Sequence, residues 1–241
     1  SREYAREHSD RLWKQLVMDE APRAAGRGKQ LAIIVALAIG AGFAVKLPEL
    51  FGASTTANPA FWVLNLGLLV LPFLAAYFAW IRRLGTAAIV TVTVAFAVTA
   101  GILNLYPFTL TGMTMPLAAG HATVVLWLTV GLAYAGGDWR SDASRMDFIR
   151  FTGEWVVYYV LIALGGGVLV GLTTAVFSAV GIDVMPVVFG WLVPCGAAGA
   201  VVVAAALVEA KQSVIENIAP VLTKLFTPLF TAMFLPLIVA A

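Results

Sequence analysis

Long apolar segments alternate with short polar connections along most of the chain. Seven segments are almost entirely apolar, at positions 31–52, 61–81, 84–105, 117–135, 155–180, 187–208 and 219–241. A helix needs about 20 apolar residues to cross the hydrocarbon core of a bilayer, and each segment is near or above that length. The apolar runs are continuous, without the alternation over roughly ten-residue blocks that is typical of membrane β-barrels. The pattern predicts an all-α, polytopic transmembrane bundle of about seven spans.

The first 30 residues follow a different pattern. Leu12, Trp13, Leu16 and Val17 recur at helical spacing among charged residues. This spacing predicts a short amphipathic helix that lies on the membrane surface or against the bundle. The alternative is a solvated tail with a few anchoring side chains. The chain therefore divides into a cytoplasmic or interfacial segment, 1–30, and a transmembrane domain, 31–241, which we expect to continue beyond the last residue.

The distribution of cations predicts the orientation of the bundle. If the N-terminus lies in the cytoplasm, fourteen of the 15 lysines and arginines lie on the cytoplasmic side and only Lys46 lies on the outer side. Cytoplasmic loops of membrane proteins carry such an excess of Lys and Arg. We therefore expect seven spans with the N-terminus inside.

Composition excludes several classes of protein. Apolar residues make up 61% of the chain and charged residues 12%, with a net charge of +2 and a mean hydropathy of +0.93. A soluble domain has about a quarter of its residues charged, and a nucleic-acid-binding module has a clustered excess of cations. We therefore expect membrane lipids around the protein, and no nucleic acid as a partner.

Motifs for catalysis and for cofactors are missing from the sequence. A single cysteine, Cys195, allows neither an intrachain disulfide nor a Cys/His metal framework. The chain has no Gly-Lys-Ser/Thr phosphate loop, HExxH, GxSxG or CxxC motif. We therefore expect no metal, no cofactor and no enzymatic activity.

A first set of candidate residues is polar and falls at the predicted outer ends of the spans. It comprises Lys46, Asn65, Asn104, His121 and Asp183. One hypothesis is that these side chains line an outward-facing polar pocket. The competing explanation is ordinary interfacial polarity together with hydrogen bonds between helices. No ionisable residue is predicted at the centre of a span, which disfavours proton-coupled transport.

A second set consists of small residues in the fifth and sixth spans. Small residues let neighbouring helix backbones approach closely. The members are Ala163, Gly167, Gly171, Gly196, Gly199 and Ala200. Tight helix packing is the first interpretation. The alternative is that these residues mark an unwound mid-membrane stretch, whose freed backbone groups would bind a substrate.

A third set is charged and lies in the predicted cytoplasmic loops 138–154 and 209–224. The members are Arg140, Arg145, Asp147, Arg150, Glu209, Lys211 and Glu216. One interpretation is a solvated surface, with i, i+3 pairs on a short interfacial helix in the first loop. The other is a docking face for a cytoplasmic partner or for a further C-terminal domain.

Extended stretches of the chain resemble a family of bacterial membrane proteins. They are RMDFIRFTGEW at 145–155, PCGAAG at 194–199, VEAKQSVIEN at 208–217 and FTPLF at 226–230. Together they resemble the multi-pass family catalogued as domain-of-unknown-function family 4153, over 118–230. The resemblance implies a bacterial inner-membrane protein, often longer than this chain. It implies no activity and no catalytic residue.

The sequence favours a non-enzymatic component or scaffold of a membrane complex. Its glycine-rich helix faces and charged loops suit contact with a membrane-protein partner or a second copy of the chain. The alternative function is a permease, channel or lipid-handling protein that uses the outward-facing pocket. A membrane enzyme is the least favoured function.

Overall fold

The computed structural model describes residues 28–55, 57–108 and 112–213, together with Thr227 and Thr231. This part of the chain is all-helical, without strands, and contains six helices long and apolar enough to cross a membrane. They are α1 (Gly28–Leu50), α2 (Pro59–Ile81), α3 (Thr86–Leu105), α4 (Thr114–Tyr134), α5 (Asp142–Ala179) and α6, which joins Met185–Val187, Val188–Leu192 and Val193–Ser213.

Two predicted elements fall largely outside the described residues. They are the amphipathic helix in segment 1–30 and the seventh span, 219–241. Residues 28–30, which the sequence assigned to the amphipathic segment, belong to α1 instead. The six other predicted spans correspond to α1–α6. The prediction of seven spans with a cytoplasmic N-terminus stays a prediction.

Contacts divide the chain into two compact units, Ser1–Ala36 and Leu37–Ala241. Residues 28–36 are the described part of the first unit, and they form the first turns of α1. The second unit contains the rest of α1 and all of α2–α6. The packing described below belongs to the second unit.

Consecutive helices of the second unit run in opposite directions. Arg82, just after α2, donates to the carbonyl of Tyr134 at the end of α4 (3.2 Å) and to Glu209 near the end of α6 (2.8 Å). Phe148, early in α5, packs on Tyr134 at 5.6 Å between ring centroids. The ends of α2, α4 and α6 therefore meet the start of α5. We call this level the charged end.

The opposite end is defined by two other pairs. Asn65, early in α2, is hydrogen-bonded to Asn104, late in α3. Lys46, late in α1, lies over the ring of Trp191, early in α6. Every lysine and arginine of residues 37–211 other than Lys46 belongs to the charged end. This separation of charge is the arrangement expected for helices that cross a membrane in turn.

An aromatic cluster holds α2, α4 and α5 together near the charged end. Phe78 of α2 contacts Tyr134 of α4 at 5.1 Å and Phe151 of α5 at 5.2 Å, and Tyr134 stacks on Phe151 at 4.8 Å. Phe78 and Phe151 are fully buried. Each such ring pair adds about 0.5–1.5 kcal/mol beyond area burial. Gly131 leaves room for the cluster, because a Cβ atom there would lie 2.7 Å from the ring of Phe148.

Helix α5 is longer than its apolar segment. Its 38 residues, at about 1.5 Å each, extend about 57 Å, which exceeds the roughly 30 Å hydrocarbon core. The sequence predicts a span over 155–180 and a short interfacial helix in the loop before it. Instead, the helix starts at Asp142 and is continuous, because Ser141 caps it by accepting from the Ser144 N–H (3.4 Å) and no proline or glycine breaks it before Gly153.

Helix α6 contains a π-turn, Val188–Leu192, directly before Pro194. Proline has no N–H to donate to the preceding turn, and its ring clashes with the carbonyl four residues earlier, at Gly190. A wider turn relieves both problems and keeps the helix continuous. The alternative prediction of an unwound mid-membrane stretch at the small residues is wrong, since both Asp142–Ala179 and Val193–Ser213 are α-helical.

Candidate functional site

The two asparagines of the first candidate set lie together and bond to each other. Asn65 Nδ2 donates to Asn104 Oδ1 (3.1 Å), and Asn104 Nδ2 donates to Asn65 Oδ1 (2.8 Å). Each amide also donates to a carbonyl one turn earlier in its own helix, at Phe61 and at Ala100. The pair therefore joins α2 to α3, as the competing explanation of hydrogen bonds between helices requires.

His121 and Asp183 make contacts within their own segments. The ring Nδ1 of His121 lies 2.7 Å from the carbonyl oxygen of Leu117, one turn earlier in α4. Asp183 accepts a hydrogen bond from the backbone N–H of Met185, the first residue of α6 (3.0 Å). Both side chains are exposed. The structure brings neither of them to the asparagine pair by a direct hydrogen bond.

Lys46, the remaining member of this set, is a buried cation. It is 3% exposed, forms an ion pair with Glu49 Oε2 on the next turn of α1, and lies 5.2 Å from the ring centroid of Trp191. A charged side chain within a membrane span is costly unless it is paired. The carboxylate and the aromatic ring both compensate the ammonium charge. We call Lys46, Glu49 and Trp191 the Lys46 cluster.

A close crossing of α1 and α6 positions the Lys46 cluster. A Cβ atom on Gly42 would lie 3.1 Å from both the Cβ and the carbonyl oxygen of Cys195. One turn further, a Cβ atom on Gly199 would lie 3.1 Å from the carbonyl oxygen of Ala38. The two helices thus pack small residues against small residues at i, i+4 spacing. The π-turn of α6 lies next to this crossing and carries Trp191.

The other small residues have different surroundings. Ala163, Gly167 and Gly171 form one exposed stripe on α5, and a Cβ atom on either glycine would meet nothing within 4 Å. Gly196 is also exposed and open, whereas Ala200 is buried. Within the second set, Gly199 is therefore in a tight helix contact, while the α5 stripe faces away from the described helices.

Two members of the third set form ion pairs between helices. Glu209, with 8% of its side chain exposed, pairs with Arg82 of α2 at 2.8 Å. Lys211 lies 3.8 Å from Glu154 of α5, which also lies 3.5 Å from Arg150. These pairs join α6 to α2 and to α5. Glu209 is thus a buried internal contact rather than part of an open surface.

The remaining charged candidates are accessible at the start of α5. Arg140, Asp147 and Arg150 are exposed, and Arg145 pairs with Asp142 on the same exposed helix surface. Glu216 lies outside the described residues. The surface that stays available for docking is therefore carried by α5 and by the connection before it.

The partners of these charged groups are not apparent from the sequence. Arg82 and Glu209, like Lys46 and Trp191, are far apart in the chain and meet only because their helices pack together. A usable signal was present: a lone cation at the end of an apolar run requires a compensating acid or aromatic ring. Glu49, three residues after Lys46, meets that requirement.

The described residues hold no group of three or more His, Cys, Asp and Glu side chains that could bind a metal ion. Comparisons with protein-family models, curated proteins and solved structures find no match to this chain. The membership suggested by the resemblance to family 4153 therefore stays a prediction. Six described helices have the length and apolar character of membrane spans, which is compatible with an integral membrane protein.

Proposed function

We propose that this protein is a non-enzymatic component of a membrane complex and associates laterally with a partner through α5. The observation that carries the proposal is the exposed stripe of Ala163, Gly167 and Gly171. In the most apolar stretch of α5 only 6% of the residues are buried, whereas 44% are buried in the corresponding stretch of α2. No other described helix covers this face.

The physical argument concerns the forces between helices in lipid. Lipid tails are as apolar as leucine, so burial of apolar surface does not drive helices together in a bilayer. Close backbone approach gives van der Waals contact instead, and small residues at i, i+4 spacing permit it. The crossing of α1 with α6 uses the same device inside this chain. The partner is therefore a transmembrane helix with small residues, from another protein or from a second copy.

The exposed charges at the start of α5 extend the same surface beyond the membrane. Arg145 and Arg150 retain 47% and 73% of their side-chain exposure although each has an acidic neighbour on its own helix. We propose that they contact the part of the partner outside the bilayer. Because this surface carries both positive and negative side chains, it suits a specific contact with a protein better than a general attraction to anionic lipid.

We further propose that the charged end faces the cytoplasm of a bacterial inner membrane. The separation of cations between the two ends supports this orientation, and the resemblance to family 4153 supports the membrane. Single cysteines in a Cys195→Ala background test it. A membrane-impermeant thiol reagent added to intact cells should label a cysteine at Gly52 and should label one at Arg83 only after lysis. The reverse labelling would refute the orientation.

Native mass spectrometry of the protein extracted with its lipids tests the association. We expect the wild-type chain to carry a stoichiometric partner or a second copy, and Gly167→Leu to lose it, because the added side chain blocks close approach. Gly166→Leu is the matched control: it also has open space, but points about 100° away around the helix. Arg145→Glu with Arg150→Glu should weaken the same assembly.

Two results would contradict the proposal. The first is a wild-type chain that is monomeric after gentle extraction, because such a chain has no lateral partner. The second is an assembly that is retained equally in Gly167→Leu and in the control Gly166→Leu, because its interface would then not include the stripe on α5.

The alternative function is a permease, channel or lipid-handling protein. One observation favours it: the buried charge of Lys46 lies beside a π-turn, and both features recur at functional sites in membranes. Under this alternative, Asn104→Ala or His121→Ala would change transport of a solute or lipid while leaving the fold intact. Normal transport in both variants would count against it.

A further inference from the structure

The turn after α2 holds an arginine in a backbone conformation that favours glycine. Arg83 has a φ angle of 52°, and among the described residues it is the only one other than glycine with a positive φ. Its N–H donates to the carbonyl of Trp80 (3.3 Å), and the N–H of Leu84 donates to the carbonyl of Ala79 (3.0 Å). These bonds satisfy carbonyl groups that the end of a helix otherwise leaves open. Arg83 is therefore the left-handed residue that closes α2.

Three other helices end in the same turn, and each has glycine at this position. The glycines are Gly52 after α1, Gly136 after α4 and Gly181 after α5, with φ angles of 91°, 67° and 79°. Each turn repeats the two hydrogen bonds found at Arg83. Glycine adopts a positive φ freely, whereas a Cβ atom lies too close to the following carbonyl oxygen. An arginine at this turn therefore strains the backbone, and strained residues cluster at functional sites.

The side chain of Arg83 has no partner within the described part of the chain. The preceding residue, Arg82, is paired with Glu209 and lies 4.8 Å from the ring centroid of Tyr134. Arg83 is exposed, and neither an ion pair nor a side-chain hydrogen bond joins it to another described residue. A guanidinium group carries five N–H donors in a planar fork. Nothing that the structure describes offsets the strain at this arginine, so we look for a ligand outside the described residues.

Arg83 lies where two apolar helices meet the level of the headgroups. Only four residues, 82–85, connect α2 to α3. In the most apolar stretch of α3 only 17% of the residues are buried. Within two turns of its start, α3 exposes Ile89 and Val90. An unpaired cation is thus followed by an open apolar helix surface, and an amphiphile with an anionic head matches both features.

We propose that Arg83 binds the phosphate group of an anionic phospholipid, whose acyl chains lie along the exposed face of α3. The guanidinium fork matches two phosphate oxygens, which allows a bidentate contact. Because Glu209 neutralises Arg82, the unpaired charge of Arg83 favours a headgroup with net negative charge over a zwitterionic one. The proposal shares with the proposed function only the membrane location, since it does not involve α5.

The test counts the lipids that the full chain retains from nanodiscs of phosphatidylethanolamine and phosphatidylglycerol, measured by native mass spectrometry. We expect one phosphatidylglycerol molecule per chain to be held in preference to phosphatidylethanolamine. Arg83→Gly should lower this retention about fivefold, as expected for one arginine near an anionic surface. Because glycine relieves the strain, the same variant should unfold at no lower SDS fraction than the wild type.

Lys211→Gln is the matched control for the loss of a positive charge. It removes a half-exposed cation at the same end of the protein, but one that already has an acidic neighbour, Glu154, at 3.8 Å. It should retain phosphatidylglycerol as the wild type does. A fall in retention that is confined to Arg83→Gly, together with unimpaired stability of that variant, supports a binding role rather than a structural one.

Three results would overturn the proposal. The first is equal retention of the two lipids by the wild type. The second is retention that Arg83→Gly leaves unchanged or that Lys211→Gln lowers equally, because the effect would then be absent or due to general charge. The third is displacement of the retained lipid by soluble glycerol phosphate, since the acyl chains would then contribute nothing. If Arg83→Gly is not monodisperse, Arg83→Asn decides, because asparagine also tolerates the left-handed conformation.

Discussion

The crossing of α1 with α6 makes a sharp prediction about Gly199. A methyl group on Gly199 would place a Cβ atom 3.1 Å from the carbonyl oxygen of Ala38, whereas ordinary van der Waals contact begins near 3.4 Å. The atom it meets belongs to a helix backbone, so the two helices must separate by a few tenths of an ångström. Overpacking of this kind costs about 1–3 kcal/mol.

Gly196 is the matched control for this measurement. It lies one turn earlier in α6, and a Cβ atom there would meet nothing within 4 Å. Both Gly→Ala changes gain the same helix propensity, about 0.5–1 kcal/mol. The difference between the two variants therefore isolates the cost of the contact. We expect Gly199→Ala to be less stable than Gly196→Ala by about 1–3 kcal/mol.

The assay is reversible unfolding in mixed micelles with increasing SDS, followed by tryptophan fluorescence. Gly42→Ala provides a second measurement of the same crossing, since its Cβ atom would lie 3.1 Å from two atoms of Cys195. It should be destabilised to a similar extent. If Gly199→Ala and Gly42→Ala are both as stable as Gly196→Ala, the helices do not approach as closely as the structure indicates.

Two double-mutant cycles and one single variant follow from the polar contacts, each measured by the same unfolding assay. The effects of Arg82→Met and Glu209→Gln on the free energy of unfolding should be coupled by about 1 kcal/mol. This value lies between those for exposed and buried ion pairs, because the Glu209 side chain is 8% exposed and that of Arg82 is 33% exposed. If the two effects are additive, the ion pair does not link α2 to α6. Asn65→Leu and Asn104→Leu should be coupled by about 0.6–1.7 kcal/mol, as for polar pairs between membrane helices; zero coupling would refute the reciprocal amide pair. His121→Ala should change stability by less than about 0.5 kcal/mol, because its ring contacts only its own helix among the described residues; a larger loss would reveal a tertiary contact.

The existence of the helices followed from local properties of the chain. A segment in lipid must satisfy its own backbone hydrogen bonds, so a continuous apolar run of sufficient length becomes a helix. The predicted segment 61–81 corresponds to Pro59–Ile81, and 84–105 corresponds to Thr86–Leu105. The start of α5 was harder to predict, because the charged residues from Asp142 onward favour a connection by hydropathy although they form a helix.

The candidate site was harder to predict than the fold. The sequence identifies Lys46 as a polar residue, but its burial and its contact with Trp191 depend on α1 packing against α6. The sequence predicts Glu209 as a docking residue, yet it is paired with Arg82 inside the bundle. The small residues of α5 and α6 looked alike in sequence. Only the surroundings of Gly167 and Gly199 distinguish an open face from a close contact.

Three features follow from the amino-acid sequence alone: the helical class, the positions of six apolar helices and the concentration of cations between particular spans. These are properties of single segments in lipid and need no knowledge of neighbours. Which helix faces meet depends on tertiary packing: α1 contacts α6 at Gly42, α2 contacts α6 at Arg82, and the small residues of α5 contact no described helix. The reason is that an apolar helix face interacts almost equally well with lipid and with the apolar side chains of another helix. The contacts between helices are therefore selected by close packing and by the pairing of buried polar groups, and both involve residues that are distant in the chain.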